Sequence, residues 1–467
     1  MSSPTRIIIL GAGPGGYVAA IRAAQLGAQV TIVEEQAVGG VCLNWGCIPS
    51  KTLLHLVDLA ERARQAKSWG ITFEGPIGFD LKRMVSRKTE VVQSLVKGIT
   101  TLFKQWKIQY VPGRGELVSD RQVRVSKRDG EVSLMDAGAI VLATGSSWPQ
   151  LPQFPIDGLR VISSKEALDL TEIPRRLIIV GGGVEGCEFA CLFSGLGSQV
   201  TLIEMMPTVL PTEDEDTVAV LTRELKKRKV QLCMNTTIQD WQSTAEGIQA
   251  TLSSGQTVVA DTMLISVGRR MNSGGLGLEA VGVQTGSRDE ILVDEHMETS
   301  VRGVYAIGDV TGKSMLAHVA SAQGKVAASN AMGSTQAINY EVIPAGIFTL
   351  PEIGRVGLTE QQAREHGLRP IVGRFRYGGL GKAQAVGETA GQFKILADEQ
   401  TQKILGVHII GAHAADLIHE GALAMQGDLT VAEIADMIHA HPTLSEGLME
   451  AAEDMNSLAI HQARKRT

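Results

Sequence analysis

Cys42 and Cys47 stand with four residues between them in the segment Gly39-Gly40-Val41-Cys42-Leu43-Asn44-Trp45-Gly46-Cys47-Ile48-Pro49-Ser50-Lys51. Two glycines and an asparagine permit a loop across which the thiols can meet, and Pro49 sits where a helix can begin and run through Leu53 and Leu54. A helix N-terminus beside Cys47 favours the thiolate, the form that attacks disulfides or donates charge to an electron-poor ring. Lys51, one turn on, adds positive charge. Taken alone, the pair could equally be two small packing residues or half of a metal site. Metal is disfavoured, because no second cysteine pair or nearby histidine completes four ligands.

Thiol–disulfide exchange with a dithiol also needs a base, and a histidine oriented by a carboxylate supplies one near neutral pH. The distant segment Met437-Ile438-His439-Ala440-His441-Pro442-Thr443-Leu444-Ser445-Glu446 offers that pair in His441 and Glu446. His413 and His419 read as ordinary residues. Cys187 and Cys191, one helical turn apart in an apolar stretch, and Cys233, in an alternating run, read as structural.

These groups need a scaffold, and the chain writes the same unit twice. Arg6–Leu10 is an apolar strand followed by Gly11-Ala12-Gly13-Pro14-Gly15-Gly16, an Ala-rich helix to Leu26, and a second strand ending at Glu34. Gly11 and Gly13 allow a tight turn with close backbone approach to a pyrophosphate, Gly16 lets the helix pack on the strand, and Glu34 is placed to accept from a ribose hydroxyl. The second copy runs from Leu177–Val180 through Gly181-Gly182-Gly183-Val184-Glu185-Gly186 and a helix to about Leu196, and ends at Glu204. Each acid follows its first glycine by 23 residues. Glu204 suits the ribose of NAD and repels the extra phosphate of NADP, and no Lys or Arg lies between it and Arg223. Ile140–Ser146 and Thr262–Arg270 are further strands ending in turns, and Val304–Asp309 places an exposed acid at a strand's carboxyl end. Strand-like runs at 393–396 and 404–410, then helices, suggest a separate α+β unit from about Pro344.

At 467 residues the chain is too long for one core of ordinary size. With 52 glycines, 20% charged and 44% hydrophobic residues, it has the profile of a globular α/β enzyme. The net charge of −6 carries no basic block, which argues against nucleic acid and anionic membranes as partners. A short basic run, Arg464-Lys465-Arg466, is expected to be solvated. No window of eighteen apolar residues marks a membrane span. The first strand begins so near Met1 that no leader is expected, and five cysteines are too few for a secreted disulfide framework, so the expected location is cytoplasmic and any disulfide catalytic.

With these motifs assembled, the chain resembles the pyridine nucleotide–disulfide oxidoreductases over essentially its full length, most closely their dihydrolipoamide-oxidising members. The resemblance implies an α/β fold with two Rossmann-like nucleotide-binding domains, for FAD and NAD, plus a C-terminal α+β dimerisation domain. It divides the chain into 1–146 (FAD, first part, with the disulfide), 147–275 (NAD), 276–343 (FAD, second part) and 344–467 (dimerisation). It assigns Gly11, Gly13, Gly16, Glu34, Lys51, Gly115, Thr144, Gly145, Asp309 and Ala317 to FAD, and Gly181, Gly183, Gly186, Glu204 and Gly268 to NAD. It pairs Lys51 with Glu188, and makes Cys42 the sulfur attacked by substrate and Cys47 the one facing the flavin. It implies a homodimer in which His441 and Glu446 serve the partner's disulfide. Lipoyl-bearing acyltransferase subunits of 2-oxoacid dehydrogenase complexes, or the glycine-cleavage carrier protein, would deliver the substrate. The absence of any cysteine after Cys233 speaks against mercuric reductases and large thioredoxin reductases, and Glu204-Met205-Met206 speaks against glutathione reductases. An NADH-dependent reductase of another small disulfide, or a flavin-binding subunit without activity, are the alternatives; the second predicts a lost Cys, His or Glu, and none is lost. Trp45, Glu185 and Met271 depart from the family pattern. Trp45 would narrow the disulfide's surroundings, and Glu185 would place negative charge near the pyrophosphate.

Overall fold

A computed structural model describes residues 4–463; the basic run at 464–466 lies outside the described residues. Among the described residues the first sheet has seven strands, in the order Val304–Ala306, Ala139–Leu142, Arg6–Leu10, Gln29–Glu34, Gln109–Ser119, Gln122–Lys127 and Val132–Asp136. The first four pair in parallel with their neighbours, and so does the start of Gln109–Ser119. That strand then leaves the parallel sheet and pairs antiparallel from Gly113 onward. A second parallel sheet orders Gln231–Cys233, Gln199–Ile203, Arg176–Val180, Thr262–Ile265 and Val161–Ile162.

The apolar runs are strands because both their faces are covered. Along Arg6–Leu10, Ile7 and Ile9 enter one core and Ile8 and Leu10 another. Along Arg176–Val180, Leu177 and Ile179 face one core and Ile178 and Val180 a second. Small residues set how closely the layers meet. The helices Pro14–Gln25 and Ala317–Ala331 cross so tightly that a Cβ on Gly324 would stand 2.5 Å from the Gly15 carbonyl oxygen. The strand Val304–Ala306 thus returns the chain to the first sheet, with Ala317 opening the helix that packs on the first glycine helix.

Residues 345–411 form an antiparallel sheet ordered Ala345–Ile347, Glu352–Gly357, Ile404–Gly411, Gln392–Asp398 and Pro370–Arg376. A buried ion cluster ties it to the unit built on the second glycine turn. Lys394 Nζ lies 2.8 Å from Asp214 Oδ1, Asp216 Oδ2 and Glu360 Oε2, and Asp214 caps the helix Glu215–Lys227. Burial works against the Lys394 charge, but the three carboxylates outweigh it and raise its pKa.

Two local expectations are corrected. The long helix begins at Cys47 itself, not at Pro49, and spans Cys47–Ala66. The segment carrying Cys42 is a short helix, Gly40–Trp45, not a loop, with Gly39 and Gly40 at φ 96° and 62° turning the chain into it. Asn44 steadies it by donating from Nδ2 to Val38 O and Gly40 O, at 3.0 and 2.9 Å.

Candidate active site

The two glycine turns have the same construction. Gly11 and Gly181 have φ of +104° and +108°, and a Cβ on either would strike a carbonyl oxygen of the neighbouring strand, Ala143 O at 2.2 Å and Ser266 O at 2.1 Å. A Cβ on Gly16 or Gly186 would meet Gly11 O at 1.9 Å or Gly181 O at 2.0 Å, so these glycines let helix sit on turn. The middle glycines differ: around Gly183 a Cβ would meet nothing, and around Gly13 only Gly40 Cα at 3.8 Å. Those two positions cap helices with free backbone amides beside open space.

Each acid closes its own turn. Glu34 accepts from Ala12 N at 2.7 Å and Gln36 N at 2.6 Å; Glu204 accepts from Gly182 N at 2.6 Å and Met206 N at 2.8 Å. A carboxylate has about four acceptor positions, so both retain capacity for a hydroxyl.

A cavity of about 480 Å³ runs from the first turn past both cysteines to the start of the second glycine helix. That is within the roughly 300–1,000 Å³ of small-molecule sites. Cys42 and Cys47 form a disulfide on its wall, with Cα atoms 4.7 Å apart. Gly46 separates the short helix Gly40–Trp45 from the long one that follows, and a Cβ there would lie 3.0 Å from Val41 O. Cys47 is the first residue of a 20-residue helix with no acid in its first turn, so the positive end of the dipole acts on its sulfur without competition.

One helical turn on, Lys51 Nζ donates to Glu188 Oε1 at 2.8 Å and Oε2 at 2.7 Å, and lies 4.8 Å from the centre of the Phe348 ring. Phe348 N donates to the same carboxylate at 2.9 Å. Asp309, expected exposed, is half-buried and accepts from Ser146 Oγ at 2.5 Å. Arg269 in turn donates to Ser146 Oγ and O, at 3.1 and 2.8 Å, and its guanidinium lies 4.7 Å from the Trp148 ring centre. Burial lowers the Arg269 pKa against the opposing charges of Glu185 and Asp309. Thr144 and Asn272 exchange hydrogen bonds of 2.7 and 3.0 Å beside Gly145, which has φ +67°. Gly145, Gly268 and Ala317 lie on the cavity wall. Gly115 is not among the lining residues; it sits on its strand where a Cβ would stand 2.4 Å from Leu10 Cδ2.

The histidine pair forms, but elsewhere. His441 Nδ1 is 2.8 Å from Glu446 Oε1, and Glu446 Oε2 accepts from Thr443 N at 2.8 Å. Burial pushes the Glu446 carboxyl up, but the bonds from Thr443 N and His441 prevail and hold it below its ordinary value. His441 is 75% exposed, its Nε2 is not engaged by Glu446, and neither residue lines the cavity. Next to it, His439 is buried on Glu420 at 2.8 Å. Cys187 and Cys191 are fully buried, which pushes both thiols up, Cys191 to about 11.

Sequence reasoning missed Ser146, Arg269, Asn272 and Phe348. Arg269 and Asn272 follow a strand already read as ending in a turn, which was a usable signal. Phe348 reaches the site only because the chain returns 160 residues after Glu188, and nothing local announces it.

Residues 5–324 match the family described as pyridine nucleotide-disulphide oxidoreductase, and residues 343–452 match its dimerisation domain. The chain is 39% identical over 466 residues to dihydrolipoyl dehydrogenase 2, mitochondrial, of Arabidopsis thaliana, covering 98% of this chain and 92% of that protein. It is 41% identical over 461 residues to dihydrolipoyl dehydrogenase of Thermus scotoductus, covering 97% and 98%. Its fold is similar to the crystal structure of LpdA from Mycobacterium tuberculosis, with TM-score 0.91, 32% identity and coverage of 97% and 99%.

Proposed function

The chain belongs to the pyridine nucleotide-disulphide oxidoreductase family, and from that premise we propose that it oxidises protein-bound dihydrolipoyl groups to lipoyl groups and passes the electrons to NAD+ through FAD. The observation that carries this reading is the Cys42–Cys47 disulfide at a helix N-terminus, on the wall of one cavity that both glycine-turn helices reach.

The residues present fit the two dinucleotides: Gly13 and Gly183 leave open space at helix N-termini, and Glu34 and Glu204 stand behind the turns with acceptor capacity to spare. In this reading 1–146 and 276–343 hold FAD, 147–275 holds NAD, and 344–467 forms the dimer. FAD, when bound, takes an electron pair from the reduced cysteines and gives a hydride to NAD+. The chain's own groups do the rest. His441, oriented by Glu446, takes a proton from one substrate thiol, and the thiolate attacks Cys42 Sγ. The Cys42–Cys47 bond breaks, and Cys47 leaves as a thiolate favoured by the helix dipole. The second substrate thiol, deprotonated in turn, attacks the mixed disulfide, releasing the lipoyl disulfide and leaving the cysteines reduced. The Lys51–Glu188 pair fixes an ammonium one helical turn on from Cys47. His441 is exposed and off the cavity wall of its own chain, and in the arrangement the family resemblance implies it acts on the disulfide of the other protomer in a homodimer. The substrate-bearing partners are lipoyl-carrying acyltransferase subunits of 2-oxoacid dehydrogenase complexes or the glycine-cleavage carrier protein, met in the cytoplasm or an organellar matrix.

The test compares steady-state turnover with dihydrolipoamide and NAD+ against glutathione disulfide and NADPH. Turnover is expected with the first pair, and Cys47→Ser should keep FAD but lose it. Activity with the second pair alone would sink the substrate assignment.

A further inference from the structure

The second glycine helix, Val184–Leu196, carries two acids three residues apart, Glu185 and Glu188, and both line the cavity. That spacing puts them on one face. Glu188 is neutralised, holding two hydrogen bonds from Lys51 and one from Phe348 N. Glu185 is not. Its Oε2 accepts from the neutral Ser266 Oγ at 3.1 Å, and among the described residues no lysine or arginine nitrogen stands within 4.0 Å of it. The guanidinium whose charge it feels, Arg269, is committed to Ser146 and stacked on Trp148.

An acid in the first turn of a helix that receives a pyrophosphate costs affinity unless it acts on another part of the ligand. The amides of the turn Gly181–Gly183 are the anion's place. Glu185 instead shares its face with Glu188, whose Lys51 partner sits on the helix that begins at Cys47. That is the route electrons must take between the disulfide and the second nucleotide site, so it is where the reacting ring of that nucleotide belongs. The ring changes charge in the reaction: oxidised nicotinamide is cationic, and receipt of a hydride makes it neutral.

We propose that Glu185 is a specificity-determining residue that reads the charge of the nicotinamide ring, holding cationic NAD+ in preference to neutral NADH. The proposal rests on the NAD-dependent reading above and deepens it. A carboxylate without a basic partner favours entry of the oxidised ring and loosens the site once the ring is neutral, which suits an enzyme that must discharge NADH. For one partly screened charge the discrimination is roughly three- to tenfold in the ratio of affinities.

Binding tests this without turnover. FAD-loaded protein is titrated calorimetrically with three ligands: NAD+, tetrahydro-NADH (whose ring is neutral and cannot give a hydride), and ADP-ribose (which has the pyrophosphate and no nicotinamide). Glu185→Gln keeps an acceptor for Ser266 and is expected to cut the preference for NAD+ over tetrahydro-NADH by roughly three- to tenfold. It should leave ADP-ribose binding within about twofold of wild type, and Glu185→Asp should restore most of the preference. If Glu185→Gln tightens all three ligands alike, Glu185 acts on the pyrophosphate and the proposal is overturned. Equal, unchanged affinities overturn it as well. Wild-type protein that binds none of the three would instead refute the NAD reading beneath it, and the inference with it.

Discussion

If each active centre takes its disulfide from one protomer and its base from the other, two inactive variants should rescue one another. Consider Cys47→Ser and His441→Ala, each loaded with FAD. His441 is 75% exposed and among the described residues is bonded to Glu446 Oε1 and through it to the Thr443 turn, so its loss should cost little stability, within about 0.5 kcal/mol. Loss of a general base should nonetheless slow thiol-driven reduction by roughly 10²- to 10⁴-fold. Co-expression with two different tags isolates the hybrid dimer. One of its centres then carries both lesions and the other neither, so the purified hybrid should turn over at roughly half the wild-type rate, and a statistical mixture at roughly a quarter. The assay is dihydrolipoamide-dependent NADH formation per FAD. A hybrid no more active than its two parents would mean that disulfide and base come from the same chain, and the cross-protomer reasoning would fall.

Lys51→Met should leave the Glu188 carboxylate, 6% exposed, with Phe348 N as its remaining donor. The expected cost is about 2–4 kcal/mol, much of it recovered in Lys51→Met/Glu188→Gln; denaturant midpoints of FAD-loaded protein would measure it, and equal costs in both backgrounds would deny the coupling. His408 is 1% exposed, and burial, with Lys394 and Arg355 adding to it, lowers its pKa against the opposing pull of Asp214 and Leu358 O. Below a pH of about 6.5 the unfolded chain therefore binds a proton that the native imidazole refuses, so stability should fall as pH drops through that value. His408→Gln, which can still donate to Leu358 O, should flatten this part of the thermal-unfolding profile; an unchanged profile would place the titration elsewhere.

The parts of this site legible in the sequence are those where one short segment must satisfy a severe steric demand. Gly11, Gly16, Gly181 and Gly186 are such places, since a Cβ at any of them would come within about 2.2 Å of a backbone oxygen. The cysteine segment was legible as a reactive pair but not in its local form: Gly39 and Gly40 take positive φ to start a short helix where the sequence suggested a loop. What the sequence hid is long-range. Ser146, Asp309 and Arg269 form one hydrogen-bonded chain from segments up to 163 residues apart, and each residue type is common enough to carry no local sign. Trp45 stands out in the sequence, but its partner, Lys165, which lies 5.1 Å from its ring centre, comes from a distant stretch of the chain. The His441–Glu446 pair was legible as a dyad and illegible as a location, because its distance from the disulfide depends on how whole units assemble.

The cysteines show why a helix end alone does not make a thiol reactive. Cys47 opens its helix, and Cys187 also lies near one, close enough for its sulfur to reach Gly182 O at 3.3 Å. The dipole argument favours a thiolate at both. Yet Cys187 is 0% exposed, with Cys191, Glu188 and Glu204 adding negative potential, and its thiol is pushed well up. Cys47 has the cavity on one side, an ammonium fixed one turn away by Glu188, and no acid in its own first turn. Burial without a cation costs a buried charge far more than a helix end returns, since the dipole supplies only about half a charge within the first turn. The same Glu188 therefore faces two ways between the helices that it joins: it holds the ammonium of Lys51 one turn on from Cys47, and its charge adds to the burial that pushes up the thiol of Cys187, its own neighbour in sequence.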